Sequence, residues 1–188
     1  MKKLEAVIFY LLIFAMPVQA RLILHSWAQP FNQWTSVYLY GTDILLAVIF
    51  ILWLVRSFGA AKISNLKSQI SKKLVSSKFL LILFFAVSAF SIFNSRIIGL
   101  SFYQLLKLAE FIGFYFYLKS GLGKVFDFKR VLLVIIASGL FQSIIAIAQY
   151  IKQGSLGLRL LGESPLSVNA TGVAVFIADS EKYLRAYG

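Results

Sequence analysis

Apolar residues fall along this chain in long blocks rather than in the alternating rhythm of half-buried strands, and blocks of that kind read as helices. Five of them approach or reach the roughly 20 residues needed to cross about 30 Å of hydrocarbon. They cover residues 4–24, 37–55, 79–93, 100–118 and 131–151. The third is the shortest, and Leu74 and Val75 before it, or Ile97 and Ile98 after it, extend it. Backbone groups in lipid must be satisfied within their own segment, and unbroken apolar runs meet that need as helices rather than as barrel strands. The pattern therefore predicts an all-α, polytopic transmembrane helix bundle of about five spans over residues 1–151. A basic cytoplasmic loop at 56–78 separates the second and third spans, and an external tail follows at 152–188.

Three segments carry a finer pattern. Residues 172–178 and 183–188 are β-prone runs around the polar residues Asp179, Ser180, Glu181 and Lys182, which predicts a short hairpin in the tail. The tail ends abruptly, as the front part of a longer protein would. Between the second and third blocks, Ile63, Leu66, Ile70 and Leu74 recur at helical spacing among Lys62, Lys67, Lys72 and Lys73. That segment reads as a helix lying on the inner membrane surface, or equally as a solvated basic loop. At the front, Lys2 and Lys3, an apolar stretch over 6–16 and Val18-Gln19-Ala20 also match a cleavable signal peptide, a reading that leaves the later spans oriented as before.

Composition agrees with the membrane pattern: 60% of the residues are hydrophobic and the mean hydropathy is +0.82, above the range of soluble domains. A net charge of +12 points to nucleic acid only where the basic residues share one solvated face. Here they lie between apolar blocks, so no nucleic-acid partner is expected. Placing the N-terminus in the cytoplasm puts twelve of the nineteen Lys and Arg residues inside, at positions 2–3, 56–78 and 119–130, and leaves the tail outside. With no cysteine there is no disulfide, thiolate metal site or cysteine nucleophile. No metal or cofactor is expected.

Polar side chains within the blocks mark inward faces. Tyr103, Lys107, Glu110, Phe114 and Tyr117 advance by three and four and share one face; Ser88, Ser91 and Ser95 follow the same rhythm, as do Ser138, Gln142, Ala146 and Gln149. An ionised group at membrane depth costs about 2.5–3.5 kcal/mol on insertion scales, so Lys107 needs a partner. Glu110, one turn away, and Asp43, at a similar depth in the second block, are the candidates. Asp43, Lys107 and Glu110 thus form an expected intramembrane charge network that either fixes helix packing or handles an anionic substrate or a proton. His25, the sole histidine, sits beside Trp27 and reads as an interfacial anchor rather than a base. The Asn169-Ala170-Thr171 sequon is too short a pattern to carry weight.

Several segments resemble the bacterial O-antigen ligase and O-antigen polymerase superfamily of membrane glycan transferases. The likeness is greatest over Gly139-Leu-Phe-Gln-Ser-Ile-Ile-Ala-Ile-Ala-Gln-Tyr150, Gly157-Leu-Arg-Leu-Leu-Gly-Glu-Ser-Pro165 and Arg185-Ala-Tyr-Gly188. Met16-Pro-Val-Gln19 and Tyr38-Leu-Tyr-Gly-Thr-Asp43 also look like opening segments of such proteins. The resemblance implies a multi-pass protein of the bacterial inner membrane that takes glycan from a polyprenyl diphosphate carrier and passes it to a lipid or glycan acceptor, without metal or nucleotide. The Thr-Phe and His-Pro-Asn elements that commonly follow the Arg-x-x-Gly segment are absent up to Gly188. Arg185 is the position the resemblance carries over, as a contact to the carrier diphosphate, with Arg159 and Lys152 on the same side. A guanidinium meets two phosphate oxygens at once and stays charged, which suits a diphosphate leaving group. The other readings are solvated tail charges, a transporter or channel using Asp43, Lys107 and Glu110, and a scaffolding membrane protein.

Overall fold

A computed structural model of the chain describes residues 2–18, 20–27, 33–61, 77–158, 161–163, 175–178 and 181–184. Within them the order is α1 (Lys2–Ala15), β1 (Arg21–Ser26), β2 (Ser36–Tyr40), α2 (Gly41–Ala61), α3 (Ser77–Phe90), α4 (Ile98–Gly121), α5 (Phe128–Lys152), β3 (Val175–Ala178) and β4 (Glu181–Leu184). A 3₁₀ turn at Ser91–Asn94 extends α3 towards α4.

The first apolar block does not stay helical. Pro17 lacks the N–H a further turn needs, and its ring disfavours helix in the residue before it, so α1 stops at Ala15. The rest of the block becomes β1, which pairs antiparallel with β2 from Arg21↔Tyr40 to Ser26↔Ser36, with an irregularity between Ile23 and His25. Ser36 closes the far end by donating its hydroxyl to Ser26 at 2.9 Å.

Side-chain contacts fix the helix directions. α1 and α5 run parallel: the Asp127 N–H donates to the Tyr10 hydroxyl at 3.1 Å, Ser138 to the Phe14 carbonyl at 2.7 Å and Gln142 to the Pro17 carbonyl at 3.1 Å. α2 returns alongside α1, bringing Arg56 to Glu5. α4 follows the direction of α2, and α3 opposes it. The buried centre lies where α1, α2 and α4 meet the turn before α5, around Phe9, Leu12, Ile13, Ile49, Tyr117 and Phe126. There Phe9 stacks on Phe126 with ring centroids 4.0 Å apart, and Trp53 meets Tyr117 edge-on at 6.1 Å.

The expectation of a five-span polytopic bundle is corrected. Among the described residues one helix, α5, is long and apolar enough to cross a membrane. At 14 residues each, α1 and α3 reach only about 21 Å as α-helix. α4 holds Lys107 and Glu110 at mid-length, and α2 carries Asp43 and Arg56 on either side of its apolar stretch. Both α2 charges are engaged in ion pairs with other helices. Counting apolar residues ignored these interruptions. The β1–β2 sheet is a second departure from the expected fold: it takes in the end of the first predicted span and the start of the second. In the tail hairpin, Ala178 pairs with Glu181 and Val175 with Leu184. Glu181 and Lys182 therefore belong to a strand rather than to a four-residue turn.

What supports membrane contact is where the apolar surface lies. In the span-length part of α5 only 6% of residues are buried, so it is not the core helix of a soluble domain. Leu133, Ile144 and Ile151 are 64%, 66% and 76% exposed. Contiguous apolar surface of this extent requires a nonaqueous neighbour. The basic segment 62–76, with its amphipathic reading, lies outside the described residues, as do the sequon and the region of Arg159 and Arg185.

Candidate functional site

The Asp43, Lys107 and Glu110 trio converges at the end of the helices nearest β1–β2. Asp43 occupies the third position of α2 and accepts the Tyr40 N–H at 2.9 Å, a carboxylate reaching back to satisfy a free donor at the helix start. The same oxygen lies 2.5 Å from the Lys107 ammonium of α4, and Glu110 accepts from that ammonium at 3.0 Å. Both bridges expected as alternatives are thus present together. Tyr40 and Tyr103 place their rings 5.8 and 5.6 Å from the Lys107 nitrogen, and the Tyr103 hydroxyl donates to the Tyr38 carbonyl at 2.8 Å. A cleft of about 560 Å³ opens over the trio, lined also by Thr42, Met16 and Phe114. Two carboxylates share one ammonium, which leaves the trio one formal negative charge in excess.

At the opposite end of the same helices the structure forms a cluster that sequence reasoning missed. Glu5 is fully buried and faces the Arg56 guanidinium at 3.3 Å. Neither Glu5 oxygen nor the adjoining buried Tyr117 hydroxyl has a hydrogen-bond partner among the described residues. The available signal was Glu5 itself, a carboxylate inside an apolar block with no cation one turn away.

The third arrangement lies after α5. Gln153 ends the helix in the left-handed region at φ 51°, and the chain then wraps around the Glu163 carboxylate. This group accepts the Leu156 and Leu158 N–H groups, both at 2.5 Å, and the Gln149 amide at 2.9 Å. Gly157 and Gly162, at φ 89° and 87°, supply backbone conformations that side chains resist and that this tight wrap requires. Partial burial opposes ionisation of Glu163, but donors from Leu156, Gln149, Leu158 and Ser155 outweigh it and hold its pKa at about 2. The loop contains the position of Arg159, which like Arg185 lies outside the described residues; Lys152 ends α5 exposed.

The remaining polar stripes are also placed. Ser138, Gln142 and Gln149 are spent on α1 and on the Glu163 loop. Ser88, Ser91 and Ser95 face α4, where with Asn94, Ser101 and Gln104 they line a cavity of about 610 Å³. His25 packs edge-on against Trp27 at 4.4 Å. Among the described residues no group of three or more His, Cys, Asp or Glu side chains comes together to hold a metal. Comparison with protein-family models, with curated proteins and with solved structures finds no match for the chain, so the glycan-transferase resemblance rests on the quoted residues alone.

Proposed function

We propose that this chain belongs to a membrane-anchored bacterial glycan-transfer protein of the O-antigen ligase or polymerase kind. It takes glycan from a polyprenyl diphosphate carrier at the outer face of the inner membrane and passes it to a lipid or glycan acceptor. The observation that carries the reading is the Glu163-centred loop. Part of the likeness to that superfamily, over residues 157–158 and 161–163, lies in this loop, which Glu163 ties to the end of the membrane-capable helix, the place where a carrier headgroup would emerge from lipid. Lys119, Lys124, Lys129 and Arg130 flank the other end of α5, an asymmetry that orients the helix with its Glu163 end outside. In this reading Arg185 and Arg159 contact the diphosphate.

The test is display of surface glycan in cells carrying the intact gene with Arg185→Lys. A guanidinium fork replaced by a point charge should reduce transfer sharply, and wild-type display would remove Arg185 from the site. Deletion of the gene without any change in surface glycan would remove the glycan-transfer reading itself. A second reading, a transporter, is favoured by the Asp43, Lys107 and Glu110 trio in its open cleft, because a net negative charge beside lipid suits proton or cation handling.

A further inference from the structure

β1 is uncovered to a degree unusual for a strand of its composition. Leu22, Ile23 and Leu24 are 67%, 56% and 60% exposed although they alternate faces, so both sides of the strand are open. β2, by contrast, turns Ser36 and Tyr38 into the protein. Among the described residues β1 has one pairing neighbour in its sheet, so its other edge has no strand beside it there. In a water-facing domain such an edge invites aggregation.

Its position answers the problem. The Gln142 amide of α5 reaches the Pro17 carbonyl four residues before β1, and β2 packs against α2 and α4, so the hairpin lies at the end of the bundle toward which the C-terminal half of α5 runs. Trp34 is 77% exposed and Trp27 41%, and Trp27 lies against Gly99 at the start of α4. Indole rings of this kind concentrate at the boundary between headgroups and acyl chains. The hairpin itself carries no carboxylate that would have to enter lipid: residues 17–42 contain no Asp or Glu, and Arg21 sits at the base of the hairpin over the Tyr38 ring at 4.8 Å. A free strand edge is not tolerated in the hydrocarbon interior, because nothing there satisfies its backbone groups. The edge must meet water or headgroups while the leucines meet acyl chains.

We propose that the β1–β2 hairpin is an interfacial wedge that lies in the headgroup and acyl boundary of a phospholipid leaflet, with Leu22, Leu24 and Trp34 dipped and the β1 edge hydrated. The inference rests on α5 residing in the bilayer and not on any glycan chemistry.

The chain contains no cysteine, so a single introduced one is a unique labelling site. Leu24→Cys and Ile144→Cys, each in the full chain, are nitroxide-labelled and placed in phosphatidylglycerol-containing bilayers. Collision rates with oxygen, which partitions into lipid, and with a neutral nickel chelate, which stays in water, are then measured. The wedge requires oxygen collisions to exceed chelate collisions at position 24, with a smaller excess than at position 144. Chelate collisions in excess at 24 place the strand in water and overturn the wedge. Suppression of both collisions at 24 means that another protein strand or a second copy covers β1, which overturns it equally. The Ile144→Cys label reports separately whether α5 is in lipid, so failure of the membrane reading and failure of the wedge are told apart. Blue-shifted Trp34 emission in the Trp27→Phe, Trp53→Phe chain is the second readout, and emission at the water-exposed wavelength counts against the wedge.

Discussion

α2 and α4 contribute to two charged clusters, one near each end of their contact, built on opposite terms. At the β1–β2 end, Lys107 is flanked by two carboxylates and two aromatic rings, Asp43 also accepts the Tyr40 N–H, and the group opens to a cleft. At the other end, Glu5 has one cation at 3.3 Å, no hydrogen bond among the described residues and no exposure. The first cluster is over-supplied with partners and opens to a cleft; the second is under-supplied, with its carboxylate fully buried and Arg56 alone reaching the surface. Desolvation of an ion pair is recovered only with good geometry and further hydrogen bonds, so the Glu5 pair acts as a constraint on how α1 and α2 meet. The Lys107 trio can change its protonation or its ligand without dismantling the core.

The sharpest break comes from Arg56→Leu, which leaves the buried Glu5 carboxylate without a counterion and should cost about 3–5 kcal/mol, or prevent accumulation altogether. Glu5→Leu added to Arg56→Leu should restore most of that loss in detergent unfolding. A double variant as unstable as the single one would show that the pair itself, and not an orphaned charge, holds the helices. Next comes one substitution made at both ends. A Cβ on Gly121 falls 2.5 Å from the buried Phe126 ring, so Gly121→Ala should destabilise by about 1–3 kcal/mol. Gly99→Ala meets Trp27, a half-exposed ring able to swing away, and should cost roughly 0.5 kcal/mol. Equal losses would erase the contrast between a rigid end and an open one.

Lys107→Leu should lower stability by roughly 1 kcal/mol, less than Arg56→Leu, because Asp43 and Glu110 remain partly hydrated and Asp43 keeps the Tyr40 N–H. Loss of transport or transfer without unfolding would assign the cleft a working role, and unchanged folding and activity would deny it both roles. The smallest effect concerns Glu163. Its pKa lies below the ordinary 4.5, so its contribution to the loop is complete above that value and disappears as pH falls through about 2. The pH dependence of loop motion, read from a label at Leu161→Cys, a partly exposed position of the loop that gives no donor to Glu163, should show release only in strong acid. Release near pH 4–5 would mean that the wrap does not stabilise the carboxylate.

What could be read from residues alone follows from how local each signal is. α5 announces itself because its apolar run has a long uninterrupted centre, and the Lys107–Glu110 contact because the two residues sit one turn apart. The Asp43 bridge was reachable by comparing depths in two blocks. Glu5–Arg56 was not, since the partners are in different blocks and nothing in either one selects the other. The β1–β2 hairpin was hidden because an apolar count treats residues 4–24 as one element, and Pro17 was the only local sign of the break. The five-span reading failed for the same reason: apolar content was counted without asking where the charges and the helix stops fell.

The bonds joining α1 to α5 also set a timetable for synthesis. Ser138 and Gln142 are translated more than a hundred residues after the Phe14 and Pro17 carbonyls they cap. While the ribosome makes everything between, those two oxygens wait unclaimed at the end of the first helix. The nascent chain is therefore open along one seam until α5 arrives. Whatever shelters that seam, whether insertase, lipid or chaperone, must be displaced by α5 as it docks.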